Sequence, residues 1–248
     1  MNSKTTAAEV LKELERAGKD SYKRTLMVNH GVREPVFGVA ISELKKIQKR
    51  IGKDYELALE LYASGNYDAM YLAGLIADDE RMTRKDLQAW ADGAYAGALP
   101  GTTVASVAAG SPHGLEMALK WIESKKELVA CAGWATLSFL VAMKSSAAAS
   151  RHRPMELGIS EIKKLIERVQ KTIHAAPDLV RYHMNAFLIS AGSYVAPLTD
   201  YAIEVGEKIG EVTADLGNNS CAIPFAPDYI RKVQARGAIG KKRKSAKC

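Results

Sequence analysis

The sequence has few cysteines and no long apolar run, and both deficits exclude whole classes of protein. The three cysteines among 248 residues, Cys131, Cys221 and Cys248, are too few and too widely spaced for a disulfide framework or a zinc site. No apolar stretch reaches the roughly 18 residues that a membrane-spanning helix needs. The first residues lack the apolar segment of a signal peptide and have the pattern of an amphipathic helix. We therefore expect a cytoplasmic protein that does not enter the membrane and contains no metal or other cofactor.

Basic residues are unevenly distributed along the chain. There are 35 Lys and Arg against 28 Asp and Glu, a formal net charge of +7. Eight of the basic residues follow position 230, and no acidic residue lies among them, so the preceding part of the chain is close to neutral. A polyanion is attracted to such a one-sided charge distribution, which favours a nucleic acid as the partner.

Helical periodicity runs through most of the sequence. Apolar residues recur at spacings of three and four from Ile159 to Ile173 and from Ile41 to Ile51, which places them on one face of a helix. We predict Ser42 as the N-cap of the second of these helices and Gly52 as its end. The predicted helices cover 5–17, 20–29, 42–51, 54–64, 66–78, 83–97, 102–109, 112–123, 126–145, 159–174, 177–192, 197–211 and, as a short final helix, 227–236.

Short loops between many consecutive helices predict antiparallel neighbours. A long series of such helix pairs without strands is typical of an α-solenoid, and a compact helical bundle is the alternative. We place the helical repeat domain at residues 1–211 and a C-terminal extension, with a short helix and a basic tail, at residues 212–248. The tail from Gly240 onward is poor in apolar residues, so we expect it to be disordered in the free protein.

Several short segments, in the same order, resemble the DNA alkylation repair family. They are Val36–Ile41 (VFGVAI), Ala58–Tyr62 (ALELY), Tyr71–Ile76 (YLAGLI), Lys120–Ile122 (KWI) and Trp134-Ala135. The resemblance implies an all-α fold, an α-α superhelix of HEAT-like antiparallel helix pairs with a short C-terminal extension, whose concave face holds duplex DNA. It also implies a relation to AlkD-like glycosylases, which remove cationic N3- and N7-alkylated purines.

The catalytic residues implied by this resemblance have no counterparts here. The family uses two Trp, an Asp and an Arg, and the carboxylate stabilises the positive charge that develops on the sugar. The segment expected to carry the Trp and the Asp, Gly101–Gly110, reads GTTVASVAAG, and the Arg position falls at Thr136 or Leu137. A later Trp corresponds to Phe187. We therefore assign no catalytic residue and name Trp134 and Phe187 as candidate base-contacting aromatics, with core packing as the alternative for Trp134.

Long cationic side chains are the expected ligands of DNA phosphates. They occur in a basic cluster at 45–53, around a loop after position 144, in the helix at 177–192 and in the tail. The alternatives are a solvated loop, an internal hydrogen-bond network in the helix, and a tail that only improves solubility. The candidate DNA-binding residues are Lys45, Lys49, Lys144, Arg151, Arg153, Arg181, Lys241, Lys242, Arg243 and Lys244.

Three functions remain open from the sequence. The first is a DNA-binding protein of the alkylation repair type, which grips duplex or distorted DNA through a concave basic face and the basic tail, without the standard glycosylase residues. The second is an active alkylpurine DNA glycosylase with a non-standard site. The third is a protein-interaction scaffold, because solenoids commonly bind proteins. We favour the first function and a monomer that contacts the phosphate backbone.

Overall fold

A computed structural model describes residues 5–144, 157–217 and 222–247, which form an α-α superhelix of consecutive antiparallel helix pairs. This confirms the predicted fold class. A π-helical turn, Leu99–Val104, leads directly into the seventh helix. Within these ranges no helix is both long and apolar enough to cross a membrane. The helices are α1 (Ala7–Ala17), α2 (Asp20–His30), α3 (Ile41–Ile51), α4 (Tyr55–Ala63), α5 (Tyr67–Ile76), α6 (Arg84–Gly93), α7 (Ala105–Gly110), α8 (Gly114–Trp121), α9 (Glu127–Ala142), α10 (Ile159–Thr172), α11 (Asp178–Tyr194), α12 (Thr199–Ile209) and α13 (Ala226–Ala235).

A buried carboxylate fixes the chain between α2 and α3. Asp68 on α5 is 1% exposed, and its oxygens accept hydrogen bonds from the backbone N–H groups of Phe37 (2.7 Å), Gly38 (3.0 Å) and Val39 (2.9 Å). Gly38 has a φ of +78°, and a Cβ there would lie 2.4 Å from the backbone nitrogen of Lys23. Glycine is therefore required at this position for both conformational and steric reasons. The segment with the first family-like match is thus held by one carboxylate.

The start of α3 differs from the sequence prediction. The helix begins at Ile41, and Ala40 is its N-cap without a side-chain hydrogen bond, so the prediction of Ser42 as N-cap is wrong. The reason is the preceding extended segment, which the buried carboxylate holds up to Val39. The predicted end is confirmed, since Gly52 is the C-cap with a φ of 74°.

Two apolar cores meet on α9. Eleven of its sixteen residues are buried, which is more than a single helix face can hold. Ala132 belongs to the core built on the N-terminal half, whereas Trp134 and Leu137 belong to the core built on α10–α13. A Cβ at Gly133 would lie 2.7 Å from the backbone nitrogen of Ile122. Glycine therefore allows α9 to approach the end of α8 closely.

The final helix belongs to the second core. Ile230 on α13 is fully buried, and α13 packs on both α11 and α12. A Cβ at Gly192 would lie 2.6 Å from the Ile230 Cδ1 atom, and one at Gly206 would lie 2.8 Å from the Pro227 Cγ atom. Two glycines thus make room for α13, while the domain boundary proposed after residue 211 stays a prediction.

Replacement of the buried carboxylate tests its contribution to stability. Asp68→Ala should lower the free energy of unfolding by about 3–5 kcal/mol, because two buried N–H groups and one partly buried N–H group lose their acceptor and each unsatisfied buried group costs about 1–3 kcal/mol. Urea denaturation followed by circular dichroism measures this change. Glu60→Ala, which removes an exposed carboxylate from α4, should change it by less than about 0.5 kcal/mol. Equal effects of the two substitutions would contradict the assigned role.

Candidate nucleic-acid interface

The C-terminal segment has a defined conformation, and the prediction that it is disordered is wrong. Residues 238–247, the strap, run back across the protein. The backbone nitrogen of Gly240 donates to the Ser193 carbonyl oxygen (2.9 Å), and that of Arg243 donates to the Ala142 carbonyl oxygen (2.8 Å). These carbonyls lie at the C-terminal ends of α11 and α9, where helix carbonyls lack intrahelical partners. Backbone hydrogen bonds, which composition does not reveal, therefore attach the strap.

A buried ion pair anchors the far end of the strap. The Lys247 Nζ atom lies 2.7 Å from the Asp79 Oδ1 atom, and the two side chains are 14% and 17% exposed. The ammonium also donates to the Ala77 carbonyl oxygen (2.8 Å). Burial raises the pKa of the Asp79 carboxyl and lowers the pKa of the Lys247 ammonium, although the partner's charge opposes each shift. A Cβ at Gly110 would lie 2.4 Å from the Asp79 Oδ2 atom, so glycine makes room for the pair.

The strap brings together cations that are distant in the sequence. The backbone nitrogen of Lys144 donates to the Arg243 carbonyl oxygen (2.8 Å), so these two residues are neighbours. Lys45 lines a small cavity of about 220 Å³ together with Ala246 and Lys247. Of the predicted DNA-binding residues, Lys45, Lys144, Lys241, Arg243 and Lys244 are exposed on and beside the strap, and Lys242 is half-buried. Lys49 is also exposed and lies one turn of α3 from Lys45.

Arg181 interacts within the protein. Its guanidinium donates to the carbonyl oxygens of Thr213 (2.6 Å) and Ala176 (2.9 Å). These bonds fix the side chain against the connection that follows α12, as the alternative of an internal hydrogen-bond network predicts. Arg181 is therefore not part of the exposed basic surface. The two arginines predicted in the loop after position 144, Arg151 and Arg153, lie outside the described residues.

The two candidate aromatics are buried. Trp134 is 2% exposed and Phe187 is 0% exposed, and their ring centroids lie 5.5 Å apart between α9 and α11. A ring enclosed by core side chains has no face available for a base. The two rings therefore pack in the core, and the prediction that they contact a base is wrong. The sequence pattern of a helix does not reveal which of its sides faces a second layer of helices, so this burial could not be predicted.

Two grooves lie beside the strap and share one wall. The cleft has a volume of about 810 Å³ and lies between the end of α2, the π-helical turn, α9, α11 and the connection at 215–217. The strap groove has a volume of about 440 Å³ and lies between α9, α11, α13 and the strap. Phe139, Tyr182 and Arg243 line both. Arg243 therefore places a cation where the two grooves meet.

Small residues form much of the cleft. A Cβ at Gly101 would lie 2.5 Å from the imidazole of His183, so the π-helical turn and α11 are in close contact there. Burial lowers the pKa of His183 to about 4, and the ring is neutral at pH 7. Among the described residues of the cleft, Asp215 is the one carboxylate; it is exposed and accepts a hydrogen bond from the Gly217 nitrogen (2.9 Å). Close contacts between neighbouring helices therefore determine the shape of the cleft. Arg243 is the cationic side chain among its described lining residues.

Sequence reasoning missed the residues that attach and line the strap. Asp79 lies in an acidic stretch, and nothing local distinguishes it from Asp78, because its role depends on Lys247 near the other end of the chain. Tyr229 lines the strap groove from α13. An exposed tyrosine on a short helix in a basic region was a usable signal for it, since aromatic and cationic side chains together are typical of nucleic-acid sites.

Comparisons with known proteins identify a family model, a solved structure and two curated relatives that match most of the chain. A model described as "DNA alkylation repair enzyme" matches residues 10–214. A solved structure covers 98% of this chain and 100% of its own, with a TM-score of 0.85 and 38% identity; it is described as a new family of proteins related to the HEAT-like repeat DNA glycosylases with affinity for branched DNA structures. Uncharacterized proteins of Listeria innocua serovar 6a and Listeria monocytogenes serovar 1/2a are 31% and 30% identical over 214 residues, 84% of this chain and 88% of each relative.

Loss of the buried ion pair should release the strap. In Asp79→Asn the ammonium of Lys247 loses its counter-ion, and we expect strap attachment to weaken by about 1–2 kcal/mol, or roughly 5–30-fold. Amide hydrogen exchange at Arg243 and Lys144, whose N–H groups form the strap hydrogen bonds, should accelerate by this factor. Asp78→Asn, which affects a more exposed pair with Lys53, is the control. Unchanged exchange at Arg243 in Asp79→Asn would refute the anchoring role.

Proposed function

Because the chain belongs to the DNA alkylation repair enzyme family, we propose that it binds DNA through the exposed cations on and beside the strap. Its ligands are backbone phosphates, which long cationic side chains contact without reading the bases. The protein acts as a monomer, since one chain carries the complete set. We name the set the strap surface, and it consists of Lys45, Lys49, Lys144, Lys241, Arg243 and Lys244.

The observation that carries this proposal is that cations without a neighbouring carboxylate are gathered on and beside one segment, the strap. Among the residues that the structure describes, no carboxylate lies within ion-pair distance of a strap-surface cation, whereas some cations elsewhere are paired, for example Arg84 with Glu116 and Lys126 with Asp92. Lys247 on the strap itself is paired with Asp79. Unpaired cations keep their positive potential, which attracts a polyanion. The strap surface is thus suited to phosphates in a way that the paired cations are not.

We further propose that the preferred DNA is branched or distorted. The similar solved structure belongs to proteins described as having affinity for branched DNA structures. A surface that contacts phosphates distinguishes DNAs by the path of the backbone, since phosphate contacts carry no base information. The strap surface draws cations from α3, the end of α9 and the strap, so a backbone that changes direction could meet more of them than a straight one.

The proposal does not include a glycosylase step. The segment Gly101–Gly110, where the family resemblance places a Trp and an Asp, forms part of the π-helical turn and α7. It contributes Gly101 and Thr102 to the cleft, and neither residue supplies an aromatic ring or a carboxylate. The exposed Asp215 lies on the opposite connection and is already hydrogen-bonded to the backbone. An oxocarbenium-like state would therefore lack a preorganised anion beside it.

The salt dependence of binding tests the strap surface. Replacement of Lys241, Arg243 and Lys244 by Gln should reduce the slope of log K against log salt concentration by about 2.7 for duplex DNA, because each phosphate contact contributes about 0.9. Fluorescence anisotropy between about 50 and 200 mM salt measures the slope. The control removes three exposed charges from α10 (Lys163, Lys164 and Lys171→Gln), which lie outside both grooves. Undetectable DNA binding by the unaltered protein at low salt would instead favour a protein-interaction scaffold.

A base-release assay separates binding from glycosylase activity. With the protein in excess over duplex DNA that contains N7-methylguanine, we expect base release at the spontaneous rate only, since the one carboxylate among the described residues of the cleft, Asp215, is exposed to water. Chromatography of the released base measures it, and heated DNA provides the positive control. Release above the spontaneous rate that disappears in Asp215→Asn would establish the glycosylase alternative.

A further inference from the structure

Aromatic side chains line the strap groove. Phe139 on α9, Tyr182 on α11 and Tyr229 on α13 all contribute to its walls. Tyr229 is 47% exposed, so a large part of its ring is open to a ligand. The volume of about 440 Å³ lies in the range of small-ligand pockets. The groove can therefore admit a single planar group, whereas a base-paired helix is too wide to enter it.

The same groove has cations and no carboxylate among its described lining residues. Arg236 follows α13, and Lys241 and Arg243 belong to the strap. All three side chains are exposed. A site with aromatic walls and a wholly positive rim is complementary to a group that combines a flat ring with a negative charge. Charge complementarity thus favours a nucleotide over an apolar or cationic ligand.

A buried hydroxyl provides an independent sign of a ligand. Ser193 lines the groove, is 3% exposed, and its Oγ atom has no hydrogen-bond partner among the described residues. Buried hydroxyl groups are nearly always hydrogen-bonded, and one left without a partner carries a free-energy penalty. A base edge in the groove offers donors and acceptors that would satisfy it.

We propose that the strap groove binds one unpaired nucleotide of a DNA strand. The base contacts the rings of Tyr182 and Tyr229, its edge bonds to the Ser193 hydroxyl, and Arg236, Lys241 and Arg243 hold the adjacent phosphates. Contact with the ring faces is tolerant of sequence because every base has a π-face. This inference rests on the proposed function, and it specifies the feature of branched DNA that the protein recognises, a nucleotide left unpaired at the junction.

The experiment compares two DNAs that differ by one nucleotide. The first is a fully paired duplex, and the second carries a single unpaired 2-aminopurine in its centre; each has an end label for anisotropy. The unaltered protein should bind the bulged DNA about 10-fold more tightly. Tyr229→Ala should remove most of this preference and change the affinity for the paired duplex by less than about 2-fold. Tyr229→Phe, which keeps the ring, should retain the preference.

A second comparison removes one positive charge from the rim of the strap groove and, as its control, one positive charge from outside the groove. Arg236→Ala should reduce the preference for the bulged DNA, whereas Lys232→Ala, an equal charge loss at an exposed position of α13 outside the groove, should leave it intact. The fluorescence of 2-aminopurine should also change on binding in the unaltered protein and not in Tyr229→Ala. Paired and bulged DNA bound equally well would overturn this inference alone, and binding to neither would overturn the proposed function with it. A preference for the bulged DNA that survives Tyr229→Ala would also overturn the inference about the strap groove.

Discussion

Close packing around α9 joins the two halves of the protein and positions each part of the candidate site. Ala132 and Trp134 face different cores, and Gly133 allows the end of α8 to lie against the helix. The same helix supplies Phe139 to both grooves and the Ala142 carbonyl to the strap. A displacement of α9 would therefore move the groove walls and the attachment point of the strap together. Because it packs against both cores, α9 holds them in a fixed relation.

The fold was largely predictable because helix periodicity is a local property. The helix predicted at 159–174 is observed at Ile159–Thr172, and the one predicted at 126–145 at Glu127–Ala142. Errors arose where a distant group decides the local structure. The carboxylate of Asp68 determines where α3 begins, and nothing within α3 indicates this. The strap shows the same limitation, since its partners are carbonyl groups on α9 and α11.

The types of residue in the candidate site could be predicted from the sequence, but their arrangement in space could not. Lys144 and Arg243 were named from charge alone, and the structure makes them neighbours through one backbone hydrogen bond. Burial, by contrast, depends on the tertiary fold, so Arg181 and the Trp134–Phe187 pair could not be assigned from the sequence. Cationic side chains on a helix or a tail are exposed by default, whereas an aromatic residue on a helix is equally compatible with a surface or a core.

The strap also restricts the bending and stretching of the superhelix. An array of stacked repeats can bend and stretch through small rotations at each interface, but here the chain returns from the end of α11 to the turn after α5 and is fastened at both places. Elongation of the superhelix must break the Lys247–Asp79 pair or the bonds to α9. Curvature is thus set when the protein folds, and a rigid surface loses less conformational entropy when it meets a ligand. A surface of this kind selects a ligand that already fits its shape instead of adapting to it.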